Sequence, residues 1–190
     1  MRYRFARVSS SIFFFLSVTL AFPQQTTPTF RSVEALKSLG VRQCLEAMNA
    51  VAEYVHETSE VAYINVWNKL APDKHMTTTI LSKSFADGTG LMTTAVSPTP
   101  AGNCDAHVVQ IFPVTDSCAK VRETSFKEWK YFTDLGTTPS YDDPTSDSVT
   151  AVFLSIQGGG CLIVKTGLLF FPGPTAPSAD KKPTPSKGPF

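Results

Sequence analysis

Between Ser148 and Phe171 the chain reads SVTAVFLSIQGGGCLIVKTGLLFF, two apolar runs on either side of Gly158, Gly159 and Gly160. Val152, Leu154 and Ile156 alternate with other residues before the glycines, and Leu162, Val164 and Thr166 alternate after them. A period of two belongs to a strand with two different faces. Two such runs joined by a few glycines, which tolerate backbone angles other residues avoid, read as a β-hairpin.

The same stretch invites three functional readings, and each meets a chemical objection. A phosphate-binding loop needs G-x-x-x-x-G-K-[ST] opening a helix. Counting from Gly159, the second glycine is replaced by Val164 ahead of Lys165 and Thr166, and GLLFF continues as strand. A cradle without a helix N-terminus has lost its dipole. A membrane span over residues 149–171 would bury three central glycines, Gln157 and Lys165 in lipid, which a hairpin explains and a span does not. A nucleophilic Cys161 needs a base such as histidine and a lowered pKa. His56, His75 and His107 are available, but the cysteine count favours a disulfide.

That count is four: Cys44, Cys104, Cys118 and Cys161. The N-terminus explains why they would oxidise. Arg2, Arg4 and Arg7 precede the apolar run Ile12–Phe22, and Thr19-Leu20-Ala21 offers small residues for cleavage after Ala21. Residues 1–21 are thus expected to be a signal peptide of an exported chain, and an even number of cysteines in such a chain predicts two disulfides. Cys104 and Cys118 close a short loop and are the expected first pair, leaving Cys44 with Cys161. Asn49, Asn65, Asn68 and Asn103 all lack the third-position hydroxyl of a glycosylation sequon. This favours a periplasmic or secreted bacterial protein over a eukaryotic secretory one.

Cleavage would leave 14 basic and 16 acidic residues, a net charge of −2. A near-neutral chain without a Lys/Arg block gives no electrostatic footprint for nucleic acid. No further segment reads as a membrane span. Residues 172–190 hold six prolines in PGPTAPSADKKPTPSKGPF and are expected to be a disordered tail. Residues 22–29 read as a flexible lead.

Residues 30–171 carry the folded pattern. Val41, Cys44, Leu45, Met48, Val51, Ala52 and Val55 recur at helical steps. Ser32 is the expected N-cap of SVEALKSLG, and Gly40 either ends a short helix or lies within a longer one. Cys44 falls on the apolar face, above a sheet. VAYINVWNKL, MTTTILSKSF, LMTTAV and DAHVVQIF read as strands, with ADGTG as the turn between the second and third. Lys120–Asp134 is expected to form a strand and then an irregular or helical piece, and GTTPSYDDPTSD a loop. The fold class is therefore α+β: an N-terminal helix on an antiparallel sheet of five or six strands, ending in the hairpin.

Other chemistries are incomplete. HETSE sets His56 and Glu60 four apart, but lacks the second histidine of H-E-x-x-H. Asp105 and His107 share one side of a strand. Asp142, Asp143 and Asp147 lack EF-hand spacing and its glycine. Trp129, Tyr131 and Phe132 form an aromatic group that packs or binds. No carboxylate pair, G-x-S-x-G elbow or S-x-x-K stands out. No catalytic, cofactor or metal residue is assigned.

The expected function is a non-catalytic binding or interaction module of the bacterial envelope, contacting a protein or envelope partner through a sheet face or loop. Two rivals are a small secreted or periplasmic hydrolase using the scattered His and acidic residues, and a structural envelope component with the Pro-rich tail as spacer.

Overall fold

The computed structural model describes residues 30–57, 61–85 and 88–172. The expected signal peptide, the lead at 22–29, Glu60, the turn residues Ala86 and Asp87, and the tail from 173 onward lie outside the described residues. Helices α1 (Arg31–Ser38) and α2 (Leu45–Tyr54) come first, then strands β1 (Ala62–Val66), β2 (Thr77–Phe85), β3 (Gly88–Pro98) and β4 (Cys104–Val114). Helix α3 (Cys118–Thr124) follows, and then β5 (Lys130–Leu135), β6 (Thr138–Asp142), β7 (Val149–Ser155) and β8 (Cys161–Phe171).

All eight strands join one antiparallel sheet in the order β1-β2-β3-β4-β8-β7-β6-β5. The chain lays down one meander from an outer edge to the middle, crosses through α3 to the opposite edge, and returns by a second meander. The two meanders meet at β4 and β8, whose ladder runs from Cys104↔Phe171 to Val114↔Cys161. The described residues are thus mostly sheet, with three helices where one was expected and eight strands where about five or six were.

Helix α3 and strands β5 and β6 lie between Cys118 and Asp142, where a strand, an irregular or helical piece and a loop are expected. The expected strand after Lys120 is helix α3, and the expected irregular piece after it is strand β5. The expected loop at 136–147 contains β6. The hairpin around the glycine run does form, as β7 and β8 pair from Val149↔Gly167 to Ser155↔Cys161.

Gly40 ends α1. It has φ +98°, and its N–H and that of Val41 return to Lys37 O and Leu36 O, the paired bonds of a Schellman stop. Ser32 is not the N-cap; Phe30 is. Ser32 lies inside the first turn, where its N–H and hydroxyl both donate to the buried Glu57 carboxylate. A carboxylate from beyond α2 therefore satisfies an orphan N–H at the positive end of α1.

One side of the sheet carries the core. Leu81, Met92, Val96, Ala106, Val108, Ala151, Phe153, Cys161 and Ile163 are all buried there. Helices α1 and α2 cover the β1–β4 half with Leu36, Met48, Val51 and Val55. Helix α3 covers the β7–β8 half with Val121, helped by Phe126 and Trp129. Each fully buried aliphatic side chain contributes roughly 1.5–3 kcal/mol over its exposed state. All three helices thus lie on the same side.

Each helix layer carries one disulfide. Cys44 bonds Cys104, and Cys118 bonds Cys161. This corrects the expected pairing of Cys104 with Cys118 and of Cys44 with Cys161. Cys104 opens β4 and Cys118 follows its end, so an eleven-residue strand separates them, roughly 35 Å at about 3.4 Å per residue. A bridge needs Cα atoms within about 7 Å. Cys161 lies opposite Val114, at the far end of β4 from Cys104 and Cys44.

Candidate functional site

The register fixes what the other side of the sheet displays. One row runs Ile64, Ile80, Thr93, Val109, Thr166, Thr150. A second runs Val66, Thr78, Ala95, His107, Leu168, and a third Ala62, Ser82, Leu91, Ile111, Val164, Val152. No helix among the described residues covers this side. Ile64 is 64% exposed, Phe170 62%, Val66 55%, Leu91 49% and Leu168 46%.

Across β1, β2, β3, β4, β8 and β7 this face carries two ionisable side chains among the described residues, Asp105 and His107, both on β4; beyond β7 the first row continues to Asp142 on β6 and Lys130 on β5. His107 Nε2 shares a 2.8 Å hydrogen bond with Thr166 Oγ1 across the β4–β8 ladder. An antiparallel sheet with one covered side ordinarily turns polar and charged residues to water on the other. Here aliphatic residues, threonine and serine occupy both sides, and contiguous exposed apolar surface of this kind marks an interaction site.

The covered side holds smaller features. A groove of about 460 Å³ lies between α3 and β6–β7, lined by Ala119, Arg122, Thr138, Tyr141, Phe153 and Ser155. Its one cation is already engaged. The Arg122 guanidinium lies 4.5 Å from the Tyr141 ring centroid and donates to Phe126 O at 2.6 Å and Trp129 O at 2.8 Å. It holds the α3–β5 connection down. A second hollow beneath α1 and α2, beside Glu57, has about 10 Å³, the size of one water.

A polar seam runs between the two helix layers. Gln110 is 2% exposed, and neither its Nε2 nor its Oε1 has a partner among the described residues. Its cross-strand neighbour is Lys165, whose Nζ lies 5.6 Å from the Trp129 ring centroid. Burial pulls the Lys165 pKa below its ordinary value, with the Asp143 charge acting in the opposite sense. Burial, and then Asp143, push the Tyr54 hydroxyl up.

The residues singled out in the sequence disperse. His56 lies beyond the end of α2 with φ +54°, and Glu60 is outside the described residues. His75 is exposed in the β1–β2 connection, and His107 is on the uncovered face. Asp105 does join His107 there. Asp142 accepts from Thr150 Oγ1 at 2.7 Å, and Asp143 accepts from the N–H and hydroxyl of Thr145 at 2.9 and 2.6 Å. Asp147 is exposed in the turn that follows. No group of three His, Cys, Asp or Glu side chains capable of holding a metal occurs among the described residues. No cysteine is free, so Cys161 is an anchor and not a nucleophile. Trp129 packs on Phe126, ring centroids 4.9 Å apart, whereas Tyr131 and Phe132 are exposed on the edge strand β5.

The sequence names Val152, Leu154, Leu162, Val164, Thr166, Asp105 and His107, all on this face, but does not show that they form an uncovered surface. The signal was present: HVVQIF and CLIVKTGLLFF are apolar at both odd and even positions, and a strand with one wet face would alternate. No protein-family model, curated protein or solved structure matches the chain.

Proposed function

We propose that the protein is a non-catalytic interaction module, exported to a bacterial periplasm or beyond, whose uncovered sheet face receives the surface of a protein partner. The observation that carries this reading is the near absence of charge from a broad apolar face, whose opposite side already holds a core and both disulfides. Water-facing sheet surface of this composition is costly, at about 25 cal/mol for each Å² of apolar area left wet. A partner that covers it recovers that free energy. Two disulfides support an oxidising compartment, and among the described residues no helix is long and apolar enough to cross a membrane.

Hydroxyl-radical labelling tests the reading. Leu168 and Phe170 should react less in the protein's native setting than in the dilute purified chain. Leu39, exposed on the helix-covered side, should react equally in both. Equal labelling of all three would remove the face from consideration as a docking surface.

A further inference from the structure

We infer that the partner seated on the uncovered face is a second copy of this chain, the two sheets packing face to face about a two-fold axis. This rests on the reading of that face as a docking surface and names its occupant. Three observations favour a second copy. The first is charge. A self-complementary interface brings every residue near its own symmetry mate or that of a neighbour, so like charges are the usual obstacle. This face presents only Asp105 and His107 across six strands, one acidic and one basic, two residues apart on one strand.

The second is shape. Most side chains along the middle of the face are small or β-branched, Thr93, Ala95, Val109, Ile111, Val164 and Thr166, with Leu168 opposite His107 the larger exception. They leave a level surface of the kind that stacks on another sheet about 10 Å away. Ile64 and Val66 on the edge strand β1, and Phe170 near the end of β8, stand toward its margins, where they would reach past the opposing sheet's centre. The third is area. The six strands of this face at about 4.8 Å, by about seven residues at ~3.4 Å, give on the order of 700 Å² per copy. That is the share each partner contributes to an interface of standard size.

Sedimentation velocity of the full chain decides. The wild type should sediment with twice the chain mass at micromolar concentration. Leu168→Glu and Phe170→Glu should each weaken the dimer by about 30-fold or more, the loss typical of a buried apolar anchor. Leu39→Glu should leave it unchanged. Far-UV circular dichroism identifies any variant that fails to fold. If both do, radical labelling of wild-type Leu168 at high against low concentration replaces them, and protection that grows with concentration is expected.

A wild type that stays monomeric overturns the inference. If Leu168 and Phe170 are nonetheless protected in the native setting, the interaction-module reading stands with a different partner. If they are unprotected, both fail. A monomer that binds phosphatidylcholine–phosphatidylglycerol vesicles assigns the face to a lipid surface instead. A dimer that survives both glutamate substitutions in folded protein uses another surface, and also overturns the inference.

Discussion

Gly160 shows how one residue can decide whether a hairpin closes. It has φ +91°, and a Cβ built on it would lie 2.8 Å from Val114 O. Gly158, at φ +88°, would meet nothing within 4 Å. Alanine at either position suffers the left-handed backbone penalty of about 1–2 kcal/mol, but only at Gly160 does it also press on a neighbouring strand. Gly160→Ala should therefore destabilise by roughly 2–4 kcal/mol and Gly158→Ala by about half of that, as measured by urea unfolding. Equal losses would mean that the contact with Val114 relaxes without cost. Gln110 poses the opposite case. Its amide is buried without a partner among the described residues, and an unsatisfied buried polar group costs about 1–3 kcal/mol. Gln110→Met keeps the length of the side chain and removes the amide, so the urea midpoint should rise. A fall would show that the amide has a hydrogen-bonded role in the seam beside Lys165.

At the scale of elements, the disulfides do unequal work for nearly equal entropy. They close sequence separations of 60 and 43 residues, which the chain-entropy relation values at about 4 kcal/mol each, a few tenths apart. The helix layers they hold are different. Helix α2 buries Ala47, Met48, Val51 and Ala52, whereas α3 buries Val121 alone. Replacing Cys118 and Cys161 by serine should raise amide exchange throughout α3 to nearly that of an open chain. The same change at Cys44 and Cys104 should leave the α2 amides protected in the native state. Protection of α3 without its bridge would show that Phe126 and Trp129 suffice to hold it. The same contrast explains what could be read in the sequence. Strands β2, β3 and β4 and helix α2 bury several residues each at a regular spacing, and their patterns were legible; β7 and β8 were legible from Val152, Leu154, Leu162 and Val164, which alternate on the uncovered face. Helix α3 buries one residue, β6 buries only Ser140, and all six residues of β5 are exposed, so none imprints a period. The cysteine pairing was hidden for another reason. It depends on β4 running straight between Cys104 and Cys118 and on β8 lying beside it, which is sheet order and not local pattern. The uncovered face was half legible: its apolar residues were visible, but which side each one took depends on where the helices sit.

The described residues form a plate with both helix layers on one side, and its cooperativity rests on two shared strands. Ala106 and Val108 of β4 and Leu169 and Phe171 of β8 belong to the core under α1 and α2. Phe112 and Val114 of β4 and Cys161 and Ile163 of β8 belong to the core under α3. Neither core can lose its floor without the ladder that also supports the other. The sequence contains two tryptophans, and they report on the two cores separately, Trp67 packing on the first and Trp129 on the second. Fluorescence of Trp67→Phe and Trp129→Phe therefore follows one core at a time. With the disulfides intact, both variants should unfold in urea as single transitions whose midpoints differ only by the small stability change of each substitution, and each should coincide with its own far-UV circular dichroism curve. A Trp129 signal lost well before the circular dichroism change would mean that the β5–β8 half opens on its own. Its outer strand β5 is fully exposed and paired on one side only, so that half is the place where such an opening would start. The uncovered face draws residues from both halves, from Ile64 on β1 to Leu154 on β7. A surface that wide stays level for a partner only if the two halves behave as one body, so coincident transitions are also a requirement of the docking role.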